Sequence, residues 1–376
     1  MTMNETGISC ELVRNGKRAR EEEEEDASTA TDRLTHLPES IVCYILSLLS
    51  DTKSVVQTSV LSQAWRFVWK HVPILDLRSD SFQEYSSFQR YVENVLSRRG
   101  PFNVSKISYI DSDDSEDVDF SLFDKVVKYG LSHGTLHLVV DLDSLGTYMD
   151  ENYTFSELFG TIPDCNLITM KIRAVWIDDS FVASGFSMLT TLHLEDCMLH
   201  SSLPEEFDPF SKFPCLNKLV LAHCMHHGRI KISGSQLLSL ELDGMVCLDM
   251  EISAPRLKSL SLLQELEYLQ FTKLSVPFLD HVDIQATDMN FFLEEDEECV
   301  RKSLISLFQN LKNAVSLSLG HYTVKVLSDM SEFLEQQPSP FTRLNSVIMV
   351  ADSVPYTVIN YFLKESASMK PKFVFV

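Results

Sequence analysis

The sequence predicts an α/β protein in which a small helical module precedes a curved solenoid of parallel strands. Two observations carry this prediction. Closely spaced helical apolar patterns occupy residues 37–69, and a leucine pattern with strand periodicity recurs through the rest of the chain. With 376 residues the chain is long for one compact domain and short for three, which also favours a small module joined to one extended unit.

Residues 1–32 are predicted to form a disordered, charged tail. They contain a basic tetrad at 17–20, followed by five Glu and one Asp, with few apolar side chains. Such a composition buries too little apolar surface to offset the entropy lost when a chain becomes ordered. The tetrad is interpreted as part of this tail, with a nuclear-import signal as the alternative.

The segment that follows carries two apolar rows on one predicted helix. Pro38 suits the first turn of a helix, because its fixed φ is helical and its missing amide proton is not needed there. Ile41 and Ile45 begin one row at helical spacing, and Val42 and Leu46 begin a second row beside it. Three short helices cannot bury both rows and two tryptophans internally. Either another protein covers part of this surface, or the helices cap the domain that follows.

Three stretches between residues 32 and 77 match a known motif almost continuously: Asp32–Leu49, Lys53–Trp69 and Val72–Leu77. They resemble the F-box of the plant F-box/leucine-rich-repeat family. The resemblance implies an F-box at residues 33–77 that docks a Skp-type adaptor and so attaches the chain to a cullin–RING (SCF) ubiquitin ligase. The adaptor-facing residues that it implies are Leu37, Pro38, Ile41, Val42, Ile45, Leu46, Val60, Leu61 and Trp65.

The chain departs from this family pattern at a few positions. Gln63 and Ala64 stand where the family usually has two basic residues, and Cys43 stands where it prefers Leu or Ile. Loss of a basic pair is expected to weaken a polar rim contact more than the apolar contact at the centre. We therefore expect adaptor binding to persist with reduced affinity; a repeat scaffold that no longer engages the ligase is the alternative.

A recurring L-x-x-L-x-L pattern predicts leucine-rich repeats across residues 78–350. The second leucine position of the clearest copies falls at residues 192, 219, 240, 260 and 282, so the periods are 27, 21, 20 and 22 residues. Each unit is expected to supply one parallel strand, and stacked units bury a core that no single unit could form. Residues 351–376 are predicted to be a C-terminal cap, since Ser353–Lys364 resembles part of the FBD region of many family members.

Strand alternation predicts which side chains the repeats present on the concave face. The candidates for substrate binding change from basic to acidic along the solenoid, which would suit a partner segment of opposite polarity. They are Lys171, Arg173, His193, Glu195, Glu241, Asp243 and Asp283. A solvated strand face without any ligand explains the same residues and is the alternative.

Composition narrows the class of protein further. The formal net charge is −22, which argues against binding to nucleic acid phosphates. No apolar run approaches the roughly 20 residues of a membrane span. Eight cysteines without a CxxC pair favour reduced thiols and a location in the cytoplasm, the nucleus or both. No recognisable nucleophile set, phosphate loop or metal-ligand spacing is present, so we expect no catalytic residue, metal or cofactor.

Together these features predict a non-catalytic substrate-recognition subunit of an SCF-type E3 ubiquitin ligase. The F-box would dock the adaptor, and the repeats would bind a protein target for ubiquitination. A third interpretation borrows from hormone-sensing relatives, in which a small molecule completes the target pocket; its only support in the sequence is the single pair Lys171 and Arg173.

Overall fold

The computed structural model describes residues 37–49, 51–112, 120–142, 166–178, 181, 186–201, 207–265, 271–287, 294–351, 353–363 and 372–375. The predicted tail at 1–32 lies outside these ranges. The chain divides into two compact units, residues 1–72 and residues 73–376, which we call the helical module and the repeat unit.

The helical module contains two short α-helices and two 3-10 turns: α1 (Glu39–Ser47), α2 (Thr52–Gln57), Thr58–Val60 and Val68–His71. Pro38 occupies the N-cap position of α1, where its carbonyl accepts the amides of Ile41 and Val42. The Asp51 carboxylate caps α2 by accepting the Ser54 amide at 2.8 Å. Among the described residues of the module, the buried apolar side chains are Val42, Leu46, Val55, Trp65, Val68, Trp69 and Val72.

A twelve-stranded parallel sheet runs through the repeat unit in the order β1, β2, β3, β4, β6, β8, β10, β12, β14, β15, β16, β17. A second parallel sheet has the order β13, β11, β9, and β5 pairs with β7. In chain order the strands are β1 Ile74–Arg78, β2 Lys106–Ile110, β3 His137–Asp141, β4 Thr169–Arg173, β5 Trp176–Ile177, β6 Thr191–Glu195, β7 Met198–Leu199, β8 Lys218–Ala222, β9 Arg229–Ser233, β10 Ser239–Asp243, β11 Asp249–Ser253, β12 Ser259–Gln264, β13 Phe271–Ser275, β14 His281–Ala286, β15 Ser316–Leu319, β16 Ser346–Met349 and β17 Lys372–Phe375.

The register of the main sheet places equivalent leucines of successive repeats in rows. Leu192 lies opposite Leu219, which lies opposite Leu240, and the row continues through Leu260 to Val282. These are the positions that set the repeat period in the sequence. Because side chains alternate between buried and outward-facing along strands such as β6 and β10, the leucine rows lie on one side of the sheet and form one continuous core. The predicted solenoid of parallel strands is confirmed.

Repeat length decides what connects the strands. Equivalent positions of β1, β2 and β3 lie 32 and 31 residues apart, and a helix fills each interval: α3 (Tyr85–Arg99) and α4 (Phe120–Ser132). Equivalent positions of β8, β10 and β12 lie only 21 and 20 residues apart, and a second strand, β9 or β11, replaces the helix. The shorter interval leaves too few residues for a helix and two turns.

The carboxyl-terminal part of the chain continues the main sheet. Its helices are α5 (Glu294–Asn310), α6 (His321–Asp329), α7 (Ser331–Gln336) and α8 (Tyr356–Leu363). In the predicted cap, α8 precedes β17, which pairs in parallel with β16. At the other end, residues 73–77 fall within the F-box resemblance, yet Ile74–Arg78 forms the first strand of the sheet. The predicted domain limits stay predictions.

The turns after β4, β6, β8 and β10 share one backbone conformation. The first residue after each strand has a positive φ: Ala174 at 57°, Asp196 at 51°, His223 at 51° and Gly244 at 57°. Each of these residues donates its amide to the carbonyl of the next strand's fifth residue, at 2.6–2.9 Å. The hydrogen bonding between neighbouring strands therefore extends one residue beyond each strand. The chain then turns and enters the next short strand, which is β5, β7, β9 or β11.

Candidate docking surfaces

The helical module exposes an apolar surface that its own core leaves uncovered. Val60 and Leu61 are 84% and 68% exposed, and Ile41 and Ile45 on α1 are also exposed. Exposed apolar residues in such number within a short segment are typical of a protein interaction site rather than of a solvated surface.

The nine residues implied for adaptor binding separate into two groups. Pro38, Ile41, Ile45, Val60 and Leu61 are exposed, and Leu37 is half-buried. Val42, Leu46 and Trp65 are buried. The helical period explains the division on α1, since the two sequence rows lie about 100° apart around the helix. In this structure the three buried side chains support the surface from below and do not form part of it.

The adaptor-facing set that the resemblance implies leaves out several exposed apolar side chains of the same module. Tyr44, Leu48 and Leu49 on or just after α1 are exposed, as is Phe67. Helical spacing could have identified Tyr44, because it lies three residues after Ile41 and four before Leu48. Phe67 could not be found by helical spacing, because it lies between a turn and a 3-10 helix. We call Ile41, Tyr44, Ile45, Val60 and Leu61 the apolar face.

Basic side chains lie close to Phe67, beside the positions that depart from the family pattern. The Arg66 guanidinium and the Lys70 ammonium each lie 5.4 Å from the centre of the Phe67 ring. Gln63 and Ala64 themselves are exposed. The module therefore keeps positive charge near this part of its surface, although the two expected basic residues are replaced.

The second candidate surface is the outward face of the main sheet. The burial pattern of β4, β6 and β10 alternates, which places all seven predicted substrate-binding residues on the side of the sheet that faces away from the leucine core. The register brings Lys171 next to His193 and Arg173 next to Glu195. Glu241 and Asp243 lie two strands further on, and Asp283 lies two strands beyond them.

The basic end of this face is paired with carboxylates. The Lys171 ammonium lies 2.8 Å from Glu195 Oε2. The Arg173 guanidinium is 2.8 Å from Asp196, 3.5 Å from Glu195 and 3.7 Å from Asp141. The carboxylates reduce the net positive charge that was predicted for this end of the face, because three of them surround Arg173.

The pKa values of Glu195 and His193 reflect the same neighbouring charges. The hydrogen bond from Lys171 holds the pKa of Glu195 below its ordinary value, against an opposing effect of burial. Burial, with a further contribution from Lys171, lowers the pKa of His193, while Glu195 and Glu241 oppose that change. His193 is thus neutral near pH 7, and it is in electrostatic contact with residues on both sides of β8.

Metal-ligand clusters and membrane-spanning helices are absent from the described ranges. No three His, Cys, Asp or Glu side chains there are arranged to share a metal ion. No helix within the same ranges combines the length and apolar composition needed to cross a bilayer.

Comparison with known proteins finds relatives along most of the chain, although no family model matches it. A putative F-box/FBD/LRR-repeat protein of Arabidopsis thaliana is 26% identical over 346 residues, which is 82% of this chain and 66% of the relative. A second F-box/FBD/LRR-repeat protein of Arabidopsis thaliana is 25% identical over 336 residues, 84% of this chain and 66% of the relative. F-box/LRR-repeat protein 13 of the same plant is 37% identical over 122 residues, 32% of this chain and 27% of the relative.

The chain spans just under two thirds of the length of the two longer matches. Each of these matches covers more than four fifths of this chain. The matches and the leucine rows of the main sheet make the chain similar to plant F-box/leucine-rich-repeat proteins.

Proposed function

We propose that the chain is the substrate-recognition subunit of an SCF-type cullin–RING ubiquitin ligase. The observation that carries this proposal is the apolar face of the helical module, which is exposed although the module already has a buried core. A Skp-type adaptor would cover this face, and the repeat unit would hold the target protein. The outward residues of the main sheet, from Lys171 to Asp283, are the proposed substrate-binding surface.

The role needs no catalytic group in this chain. Ligation chemistry would take place on other subunits, and the chain would act by holding its target close to the charged conjugating enzyme. Tethering of this kind raises the effective concentration of two reactants without any new chemical step. The complex would form in the cytoplasm, the nucleus or both, which a fluorescent fusion would test directly.

Capture of a purified Skp-type adaptor tests the docking face. Ile41→Ser/Ile45→Ser/Val60→Ser removes three apolar side chains that are already exposed, so it leaves the buried core in place. We expect this variant to lose at least about tenfold in adaptor affinity, equivalent to roughly 1.4 kcal/mol. Tyr356→Ser, which alters an exposed side chain of the repeat unit, serves as the control. Equal capture by all three proteins would contradict the proposed docking face.

A repeat scaffold that does not engage a ligase is the second candidate, supported by exposed Gln63 and Ala64 at the expected basic pair. Gln63→Lys/Ala64→Arg restores that pair. If the natural residues weaken a rim contact, the variant will bind the adaptor faster and with a steeper salt dependence. Accumulation of ubiquitinated partners under proteasome inhibition separates the two candidates, since a scaffold without a ligase would accumulate none.

A further inference from the structure

A row of apolar side chains crosses four successive repeats just beyond the positive-φ turns. Trp176 pairs with Met198 in β5 and β7, and isolated bridges join Met198 to Met225 and Met225 to Val246. Adjacent strands lie about 4.8 Å apart, so the row is about 14 Å long. We call these four residues the edge row.

The edge row points outward and is not part of the core. Ile177, Leu199 and His226, the residues that follow its first three members, are buried, whereas all four members of the row are partly exposed. Polar side chains would suit a row that contacted only solvent, yet this row contains a tryptophan and two methionines. Contiguous apolar surface of this kind indicates a contact with another molecule.

The small outward side chains of β8 leave a shallow depression in the main sheet, and Ala222 lies only three residues before Met225 of the edge row. On β8 the outward-facing Val220 and Ala222 are almost fully buried, with 6% and 8% exposure. The register explains this burial, since the longer side chains of His193 and Glu241 flank Val220 on either side. In the same way, Glu195 and Asp243 flank Ala222. The depression therefore has an apolar floor and a carboxylate on each side.

The two sides of the depression differ in how their charges are balanced. Glu195 already contacts Lys171 and Arg173. On the opposite side Glu241 has one cation, Lys218, at 3.7 Å, and no ion pair is recorded for Asp243 among the residues that the structure describes. The β10 side thus retains excess negative charge next to apolar surface. A lysine or arginine of a partner could pack its aliphatic stem into the depression, between the flanking side chains, and reach these carboxylates with its charged end.

We propose that the edge row and the adjoining depression bind an extended segment of another protein in which apolar residues alternate with lysine or arginine. An extended chain rises about 3.3 Å per residue, so four or five residues match the length of the row. The apolar side chains contact the edge row, where two flexible methionines adapt to their shape, and a basic side chain enters the depression. That this segment belongs to a ubiquitination target rests on the proposed function.

Fluorescence anisotropy with three labelled peptides of about ten residues, enough to span the row with an overhang, tests the proposal on the full chain. One peptide alternates leucine and lysine, the second leucine and glutamate, and the third serine and lysine. We expect the leucine–lysine peptide to bind at least about tenfold more tightly than either of the others, a difference of roughly 1.4 kcal/mol. No binding by any peptide, or equal binding by the serine–lysine peptide, would overturn the proposal.

Variants locate the site. Met198→Ser/Met225→Ser and, separately, Glu241→Gln/Asp243→Asn should each weaken leucine–lysine binding by about tenfold. Asp280→Asn alters an exposed carboxylate next to the amino end of β14 and should leave binding unchanged. Thermal unfolding of each variant shows whether the fold is retained. If both double variants bind as the wild type does, the site lies elsewhere and the proposal fails.

Adaptor capture by the same proteins separates this inference from the proposed function. All three variants should capture the adaptor as well as the wild type does, because none alters the helical module. A chain that captures adaptor but binds no leucine–lysine peptide would overturn the docking site alone. A chain that binds this peptide but captures no adaptor would support the docking site and contradict the ligase role.

Discussion

Ile45 and Leu46 are consecutive residues of α1 with opposite environments: Ile45 is 36% exposed, and Leu46 is 1% exposed. The helix turns by about 100° per residue, which carries one side chain to the apolar face and the next into the core of the module. The two residues therefore allow stability and adaptor binding to be altered one at a time.

Leu46→Ala is expected to destabilise the helical module by about 2–5 kcal/mol, because it leaves a cavity in a packed core. Ile45→Ser removes an exposed side chain and should change stability by only about 0.5 kcal/mol, while it weakens adaptor capture. Hydrogen exchange of the α1 and α2 amides reports on the module alone, which matters because the chain has two compact units. Similar exchange rates in the two variants would show that the division between core and face is wrong.

The repeat pattern predicted the sheet well because the leucine rows are both the sequence signal and the physical cause of stacking. Positions 192, 219, 240, 260 and 282 lie in one row of the sheet. The outward position of Lys171 and Glu195 followed from strand alternation alone. What the pattern could not supply was pairing between side chains, since the contacts of Arg173 with Asp141 and Asp196 join residues 32 and 23 positions apart.

The apolar face of the helical module was predicted less completely. Two apolar rows at helical spacing do not show which row faces the core when a helix is short and apolar nearly all round. The distinction between Ile41 and Val42 depends on how α1 packs against the second 3-10 turn, which is tertiary information. The edge row also escaped prediction, because its four members belong to two-residue strands or isolated bridges that carry no periodic signal.

Gly244→Ala should destabilise the repeat unit for two separable reasons. Gly244 has φ 57°, which costs a residue with a side chain about 1–2 kcal/mol. A Cβ there would also lie 2.5 Å from Nδ1 of His223. His223→Ala removes the imidazole, and the ring is exposed, so this change alone should be nearly neutral.

The double variant separates the cost of the positive φ at position 244 from the cost of the contact with His223. In the His223→Ala background, Gly244→Ala should retain only the cost of its positive φ, so the two substitutions will not be additive. Thermal unfolding of the wild type, the two single variants and the double variant gives the coupling free energy between the two substitutions. A sum of the single effects equal to the double effect would show that the imidazole does not obstruct this position.

Asp51→Ala removes the cap of α2. The Asp51 carboxylate accepts the Ser54 amide and the Ser54 hydroxyl, each at 2.8 Å. Loss of such a cap lowers helix stability by about 0.5–2 kcal/mol. The loss is large for α2, because this helix has only six residues. Amides of α2 should exchange faster, whereas Asp51→Asn should retain most of the protection because an amide oxygen still caps. Identical protection in wild type and Asp51→Ala would contradict this role.

Stability of the repeat unit should depend on pH through Glu195. Its folded-state pKa lies below the ordinary value, mainly because Lys171 donates a hydrogen bond to its carboxylate. The unfolded chain therefore binds a proton more readily than the folded chain. The stability that Glu195 contributes is fully present above the unfolded-state pKa of about 4.3, and it is lost as the pH falls through the lower folded-state pKa.

The comparison of wild type with Glu195→Gln isolates this contribution from the other carboxylates. The wild type should unfold at a higher temperature than the variant near pH 7, and the difference should shrink as the pH is lowered from about 5 toward 3. Lys171→Met in the wild-type background should reduce the difference at every pH, because it removes the donor that lowers the pKa of Glu195. A gap between wild type and Glu195→Gln that stayed constant down to pH 3 would mean that the ion pair does not link this carboxylate to folding.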